Sequence, residues 1–145
     1  MNAKQVRIAQ LCLRWALGLT YLSAVADRFG LWGPNGSKYA SWGDWRHFLL
    51  YAAALNWYLP AALQPSAAIL ATIAETLFGL ALITGLYLRI AAYGSAVLLT
   101  IFALSMTFAL GVKAPLNFSV FVDAAAALLL AVTVPPKATK GSRSR

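Results

Sequence analysis

Three ionisable side chains lie inside long apolar runs of this sequence: Arg14, Glu75 and Asp123. If those runs cross a bilayer, each charge costs about 2.5–3.5 kcal/mol to place at the centre of a membrane helix. Charges retained at that cost pair with one another, contact a polar ligand or carry protons. The sequence therefore predicts a polar site inside a membrane-embedded helix bundle.

Arg14 and Glu75 are predicted to lie at similar depths in the bilayer. At about 1.5 Å per residue, Arg14 is about 12 Å from the inner end of its run, and Glu75 is about 15 Å from the inner end of the next. Two interpretations stay open. One is a structural salt bridge between the two helices, and the other is a polar site for a quinone headgroup or a proton-accepting carboxylate.

Further polar and small residues share helix faces with these charges. Gly18 and Tyr21 follow Arg14 on one face, and Ser119 lies one turn from Asp123. We expect a headgroup-sized polar pocket in the outer half of the bundle, although such stripes are also typical of ordinary membrane-helix packing. The candidate quinone site comprises Arg14, Tyr21, Glu75, Ser119 and Asp123. Comparable stripes are predicted at Thr72, Glu75, Thr76 and Gly79, and at Tyr93, Thr100 and Thr107.

Other kinds of chemistry find few suitable residues. The chain has one cysteine, Cys12, and one histidine, His47. Without a cluster of histidine and cysteine, neither a metal site nor a thiol redox centre is expected. The sequence also has no nucleophilic triad, P-loop or GxGxxG motif. We therefore expect no intrinsic cofactor and keep quinone as the one candidate ligand.

The composition indicates a membrane protein. Of the 145 residues, 61% are hydrophobic and 11% are charged, whereas soluble domains are about 25% charged. This balance argues against a soluble enzyme, a disordered tail or a DNA-binding module. The net charge of +8 is better explained by membrane topology and contact with anionic lipid than by nucleic acid.

Four apolar segments are long enough to span the roughly 30 Å hydrocarbon core as helices. Pro65 begins the second, Gly85 ends it, and Pro135 and Pro136 end the fourth. The predicted fold is an all-α membrane protein, a four-transmembrane-helix bundle in one domain over residues 1–136, followed by a basic cytoplasmic tail at 137–145. The predicted spans cover about 6–26, 66–85, 90–110 and 116–134.

The basic residues predict that both termini are cytoplasmic. Lysine and arginine concentrate on the cytoplasmic side of membrane proteins. This orientation places seven basic residues inside: Lys4, Arg7, Arg89, Lys137, Lys140, Arg143 and Arg145. It places four outside: Arg28, Lys38, Arg46 and Lys113. The first run also resembles a signal peptide with Ala24-Val25-Ala26 as a cleavage site, but Arg14 within its apolar part is unfavourable.

A long external segment, residues 27–64, separates the first two predicted spans. Its second half predicts an interfacial or re-entrant helix over Trp42–Tyr58, with Ser41 as N-cap and many aromatic residues of the kind found at headgroup level. Asp27 and Arg28 begin the segment. They are expected either to be solvated at the interface or to border a pocket mouth beneath the segment. A connection of this length is more often functional than a simple link.

Two stretches resemble the DoxX family of small four-helix membrane proteins. One runs from Arg14 through Gly18 to Asp27 and Arg28 at the outer end of the first span. The other is the pattern E-x3-G-x5-G-x3-R, formed here by Glu75, Gly79, Gly85 and Arg89. The family positions are Arg14, Gly18, Glu75, Gly79, Gly85 and Arg89.

The resemblance implies an inner-membrane protein of a bacterium or archaeon. Some members are similar to the membrane subunit of thiosulfate:quinone oxidoreductase, and many have no assigned activity. The first hypothesis is therefore a quinone-facing membrane subunit of an oxidoreductase complex. The alternative is a scaffold or assembly factor that is not an enzyme and binds a partner protein through the external segment. A homo-oligomer is a further possible assembly.

Overall fold

The computed structural model describes residues 2–135, and within that range all regular secondary structure is helical. Three helices, α1, α3 and α4, are long and apolar enough to cross a membrane, while α6 is apolar but shorter, with 14 residues. The helices are α1 (Ala3–Arg28), α2 (Trp45–Leu55), α3 (Gln64–Thr84), α4 (Leu88–Leu110), α5 (Lys113–Asn117) and α6 (Val120–Thr133).

Four of these helices form a ring in which α1 packs on α3, α3 on α4, α4 on α6, and α6 on α1. Neighbouring helices run in opposite directions. Gln10 near the start of α1 donates to the carbonyl of Thr133 at the end of α6 (2.8 Å), and Arg14 contacts the end of α3. We call this end of the bundle the tail end. The opposite end carries the connection between α1 and α3, residues 29–63, and is called the connection end.

Small residues let the helices approach closely, as is usual in membrane bundles. At the crossing of α1 and α3, a Cβ on Gly18 would lie 2.7 Å from Ile83 Cγ1, and one on Gly79 would lie 3.0 Å from Leu22 Cδ2. Between α4 and α6 the buried contact is largely alanine. The buried alanines of these two helices are Ala91, Ala92, Ala96, Ala103, Ala124, Ala127 and Ala131.

The last predicted span is not one continuous helix. Residues 116–134 were expected as a single span, but α5 ends at Asn117 and α6 begins at Val120. Ser119 between them has φ 57°, a left-handed conformation that breaks the helix. The prediction that Gly85 ends the second long helix is confirmed, because Gly85 follows Thr84 with φ +79° and caps α3.

The helix in the connection is shorter than expected, and its N-cap differs. The sequence predicted Trp42–Tyr58 with Ser41 as N-cap, whereas α2 covers Trp45–Leu55. The Asp44 carboxylate accepts from the His47 amide at 2.9 Å and is the N-cap. The α2 helix packs on α3 through a small apolar cluster of Phe48, Ala52 and Ala68. The predicted basic tail, 137–145, lies outside the described residues.

Candidate functional site

Arg14 does not meet Glu75, so the predicted ion pair between them is wrong. Arg14 Nε donates to the carbonyl of Leu82 at 2.9 Å, and its Nη2 donates to that of Ile83 at 3.0 Å. A Cβ at position 85 would lie 2.6 Å from this guanidinium, so Gly85 leaves room for it. Arg14 therefore satisfies carbonyls at the end of α3 and offsets the negative end of that helix dipole.

An Arg14–Glu75 pair requires α1 and α3 to end at the same level, and they do not. Arg14 lies beside Leu82 and Ile83, which leaves Glu75 about 11 Å further along α3 at the helical rise. The first eleven residues of α1 therefore extend about 16 Å past that contact. The axial offset between neighbouring helices cannot be read from the length of each apolar run.

Glu75 instead pairs with Arg28 at the end of α1. Arg28 Nη2 lies 2.5 Å from Glu75 Oε2, and both side chains are 4% exposed. Arg28 Nη1 also donates to Thr72 Oγ1 at 2.6 Å, one turn before Glu75 on α3. The Thr72 hydroxyl in turn donates to the carbonyl of Ala68 at 2.9 Å. The guanidinium is thus bound to two polar side chains on one face of α3.

Two aromatic rings from the connection cover this buried cation. The guanidinium carbon of Arg28 lies 3.9 Å from the centre of the Phe48 ring and 5.4 Å from that of Trp42. The two rings meet each other edge to face, with centres 5.2 Å apart. Cation–π attraction is stronger when the cation is removed from water. The connection is therefore held to the bundle through the same charge that binds Glu75.

The neighbouring residue fixes the backbone of the connection. One oxygen of Asp27, Oδ2, accepts from the amides of Ser41 and Trp42, each at 2.9 Å. Asp27 is buried, and these bonds place Trp42 over Arg28. We call this arrangement the latch, and it consists of Asp27, Arg28, Trp42, Phe48, Thr72 and Glu75. Adjacent opposite charges at a helix end, with Thr72 and Glu75 on one face of α3, were the available sequence signal.

Part of the predicted polar site does come together. Tyr21 is buried, and its hydroxyl donates to the carbonyl of Ser95 at 3.4 Å. The carboxyl groups of Glu75 and Asp123 both lie within electrostatic range of that hydroxyl. Ser95 is fully buried, and its Oγ has no hydrogen-bond partner among the described residues. Asp123 is half-buried.

Other predicted polar residues lie apart from this group. Ser119 is exposed, and its backbone carbonyl, rather than its side chain, accepts from the Asp123 amide at the start of α6. Thr100 and Thr107 donate to carbonyls of their own helix, each at 2.7 Å. Tyr93 and Thr100 are exposed, so the predicted stripe of α4 does not face the interior of the bundle. The buried hydroxyl groups of α4 belong to Ser95 and Ser105, which lie on another face.

Among the grooves on the surface of residues 2–135 are two open ones, and neither is lined by Tyr21, Glu75 or Asp123. One, of about 690 Å³, lies beside α2 and the start of α3. The other, of about 550 Å³, lies between α3 and α4. At the first groove, Asp44 contacts His47 Nδ1 at 2.8 Å. The hydrogen bond from the His47 amide, followed by that from its ring, lowers the pKa of Asp44 below its ordinary value.

Residues 2–135 contain no group of three or more histidine, cysteine, aspartate or glutamate side chains that could hold a metal ion.

Comparisons with protein-family models, with curated proteins and with solved structures gave no match to this chain. Function is therefore inferred from the residues of this chain and their contacts.

Proposed function

We propose that the chain is a four-span inner-membrane protein that presents the connection as a rigid docking platform for a partner protein. Three helices have the length and apolar character of spans. In this proposal α5 and α6 together complete the fourth, and both termini are cytoplasmic. The count of lysine and arginine along the sequence, seven inside against four outside in this orientation, supports it.

The observation that carries the proposal is the latch. Removing Arg28 and Glu75 from water is costly, and a simple membrane anchor needs no ion pair at that position. In this chain the pair fixes two aromatic residues of the connection, Trp42 and Phe48, while Asp27 fixes the backbone before them. The buried ion pair therefore stabilises one conformation of the connection, although the connection is not part of a membrane span.

The outer face of the connection is suited to protein contact. Leu31 and Tyr39 are each 73% exposed, and Trp57 is 64% exposed. Aromatic residues are enriched in protein interfaces, and here they lie on a segment whose backbone is already ordered. An ordered surface loses less conformational entropy on binding than a mobile one does. These features support a scaffold or assembly role.

A photo-crosslinking side chain at position 39, introduced into the full chain in native membranes, tests the proposal. The matched control places it at Leu128, which is 49% exposed on α6 and faces lipid in this account. We expect one discrete protein adduct from position 39, and it should weaken in the Glu75→Gln variant. If both positions yield only lipid adducts, the connection is not a docking platform.

A second candidate is the quinone-facing subunit that the DoxX resemblance implies. The buried Tyr21 hydroxyl favours it, because it bonds to the Ser95 carbonyl and lies within electrostatic range of Glu75 and Asp123, and a quinone carbonyl needs a few polar contacts among apolar walls. The purified chain should then retain quinone at near-equal ratio and lose it in Tyr21→Phe, whereas Tyr39→Phe should retain it. If lipid extracts of the purified chain contain no quinone, the quinone site and the function implied by the family resemblance are contradicted, and the scaffold role is the remaining proposal.

A further inference from the structure

The groove between α3 and α4 has an apolar floor and walls along its whole length. Its volume is about 550 Å³, and its lining residues are Phe78, Ile90, Tyr93, Gly94, Val97, Leu98 and Ile101. A Cβ at position 94 would meet the Phe78 ring, so the absence of a side chain at Gly94 lets that ring seat against α4. Because the groove lies along two of the three span-length helices, the part of any ligand that lies inside it must be apolar.

The side chain of Arg89 lies at the tail end of this groove. The Arg89 guanidinium lies 5.8 Å from the centre of the Tyr93 ring, which is itself part of the groove wall. Arg89 is in the first turn of α4, and Ile90, Val97 and Ile101 continue from it along one face. A ligand that lies in the groove therefore has its end beside a positive charge.

This charge is not balanced by any carboxylate of the described residues. Glu75 is paired with Arg28, and Asp44 is paired with His47. Asp27 and Asp123 lie at the connection end of the bundle. The described charges of the tail end are all basic: Lys4, Arg7, Arg14 and Arg89. Arg14 is bonded to the carbonyls of α3. Of the other three, Arg89 is the one that contacts a residue of the groove wall, Tyr93, and it can attract an external anion there.

We propose that this groove binds one anionic phospholipid, with an acyl chain along α4 and its phosphate beside Arg89. An apolar channel that ends at a cation matches the two parts of such a lipid, and basic residues near a membrane surface favour anionic headgroups. The site is independent of the docking platform, which lies at the other end of the bundle. It gives the chain a preference among lipids rather than a further reaction.

Native mass spectrometry of the full chain, released from detergent with equal amounts of phosphatidylglycerol and phosphatidylcholine, tests the site. The parent should retain one phosphatidylglycerol in preference to phosphatidylcholine. Arg89→Gln should reduce that preference about fivefold, the effect expected of one basic residue near an anionic surface. Arg89→Lys should keep it, and the control Arg7→Gln should change it less than twofold.

A second pair of variants tests the groove itself. Val97→Trp fills the channel and should remove the bound lipid of either class. Val122→Trp makes the same change on α6, at a residue that is 66% exposed outside the groove, and should leave lipid retention unchanged. The proposal is overturned if Arg89→Gln keeps the parent's preference, or if the two tryptophan variants lose lipid equally, since the lipid would then be part of the general annulus.

Discussion

Replacing Glu75 by glutamine should remove the counter-charge of Arg28 while leaving the shape of the side chain almost unchanged. The guanidinium would remain beneath Trp42 and Phe48 with its bond to Thr72. Arginine cannot lose its proton in a protein, so the charge would stay buried and uncompensated. The variant therefore isolates the electrostatic part of the latch.

The expected loss of stability follows from this environment. An uncompensated guanidinium in a membrane helix costs about 2.5–3.5 kcal/mol, and breaking a buried ion pair costs about 3–5 kcal/mol. The glutamine oxygen can still accept one hydrogen bond, which contributes about 0.6 kcal/mol on average in a membrane protein. We expect Glu75→Gln to lower the free energy of unfolding by about 3 kcal/mol.

Reversible unfolding of the full chain in mixed micelles, followed by circular dichroism, measures this change. Arg28→Met should cost less than Glu75→Gln, because the remaining carboxyl group can take up a proton. The double variant Arg28→Met/Glu75→Gln should recover at least half of the loss caused by Glu75→Gln, since it leaves no uncompensated charge in the bundle. Arg46→Met, an exposed residue of α2, is the matched control and should stay near the parent.

Two results would refute this reasoning. If Glu75→Gln unfolds within about 0.5 kcal/mol of the parent, which is the range of ordinary surface substitutions, the ion pair does not stabilise the fold. If the losses of the single variants simply add in the double variant, Arg28 and Glu75 act independently. In either case the pairing of Arg28 with Glu75 would not contribute to the stability of the fold.

Three further predictions concern the bundle and α2. Gly18→Ala should lower the free energy of unfolding by about 1–3 kcal/mol, because its Cβ would lie 2.7 Å from a side-chain carbon of α3. Unfolding in mixed micelles measures this change. An equal loss in Thr20→Ala, the control at an exposed site of the same helix, would contradict it. Arg14→Gln should lower the free energy of unfolding by about 1.5–3 kcal/mol, because it removes the charged hydrogen bonds to the end of α3, and amide hydrogen exchange there should become faster. Unchanged exchange would contradict the assignment of Arg14 as the residue that stabilises this helix end. The lowered pKa of Asp44 means that its capping contribution is complete above the ordinary aspartate pKa and is lost as the pH falls through the lowered value. Near-ultraviolet circular dichroism of the α2 aromatics should therefore change only at acid pH, and Asp44→Asn should abolish that transition.

Helix positions followed closely from local signals in the sequence. Gly85 ends α3 because only a residue free of a Cβ penalty adopts that left-handed cap readily. The inward faces of Gly18, Tyr21 and Glu75 followed from helical periodicity, and all three are buried. The break before α6 did not follow, because Ser119 is an uncommon residue in the left-handed region. Local residue types did not mark it.

The candidate site was predicted less completely because it depends on tertiary contacts. Periodicity identifies which face of α3 carries Glu75, but the partner depends on how far α1 slides along it. Arg28 at the helix end reaches Glu75, whereas Arg14 lies beside the end of α3. The aromatic cover also depends on the fold of the connection, where Asp44, rather than Ser41, begins α2. Neither relation is encoded in a local pattern.

The central claim is that Asp27 and Arg28 hold the connection against the bundle in one conformation. Amide hydrogen exchange at Ser41 and Trp42 in the full chain tests it most directly, because both amides donate to Asp27. We expect both to be protected in the parent, and to exchange much faster in Asp27→Asn and Glu75→Gln while the amides at the centre of α4 stay protected. Exchange in the parent at the rate of an unstructured peptide would contradict the claim.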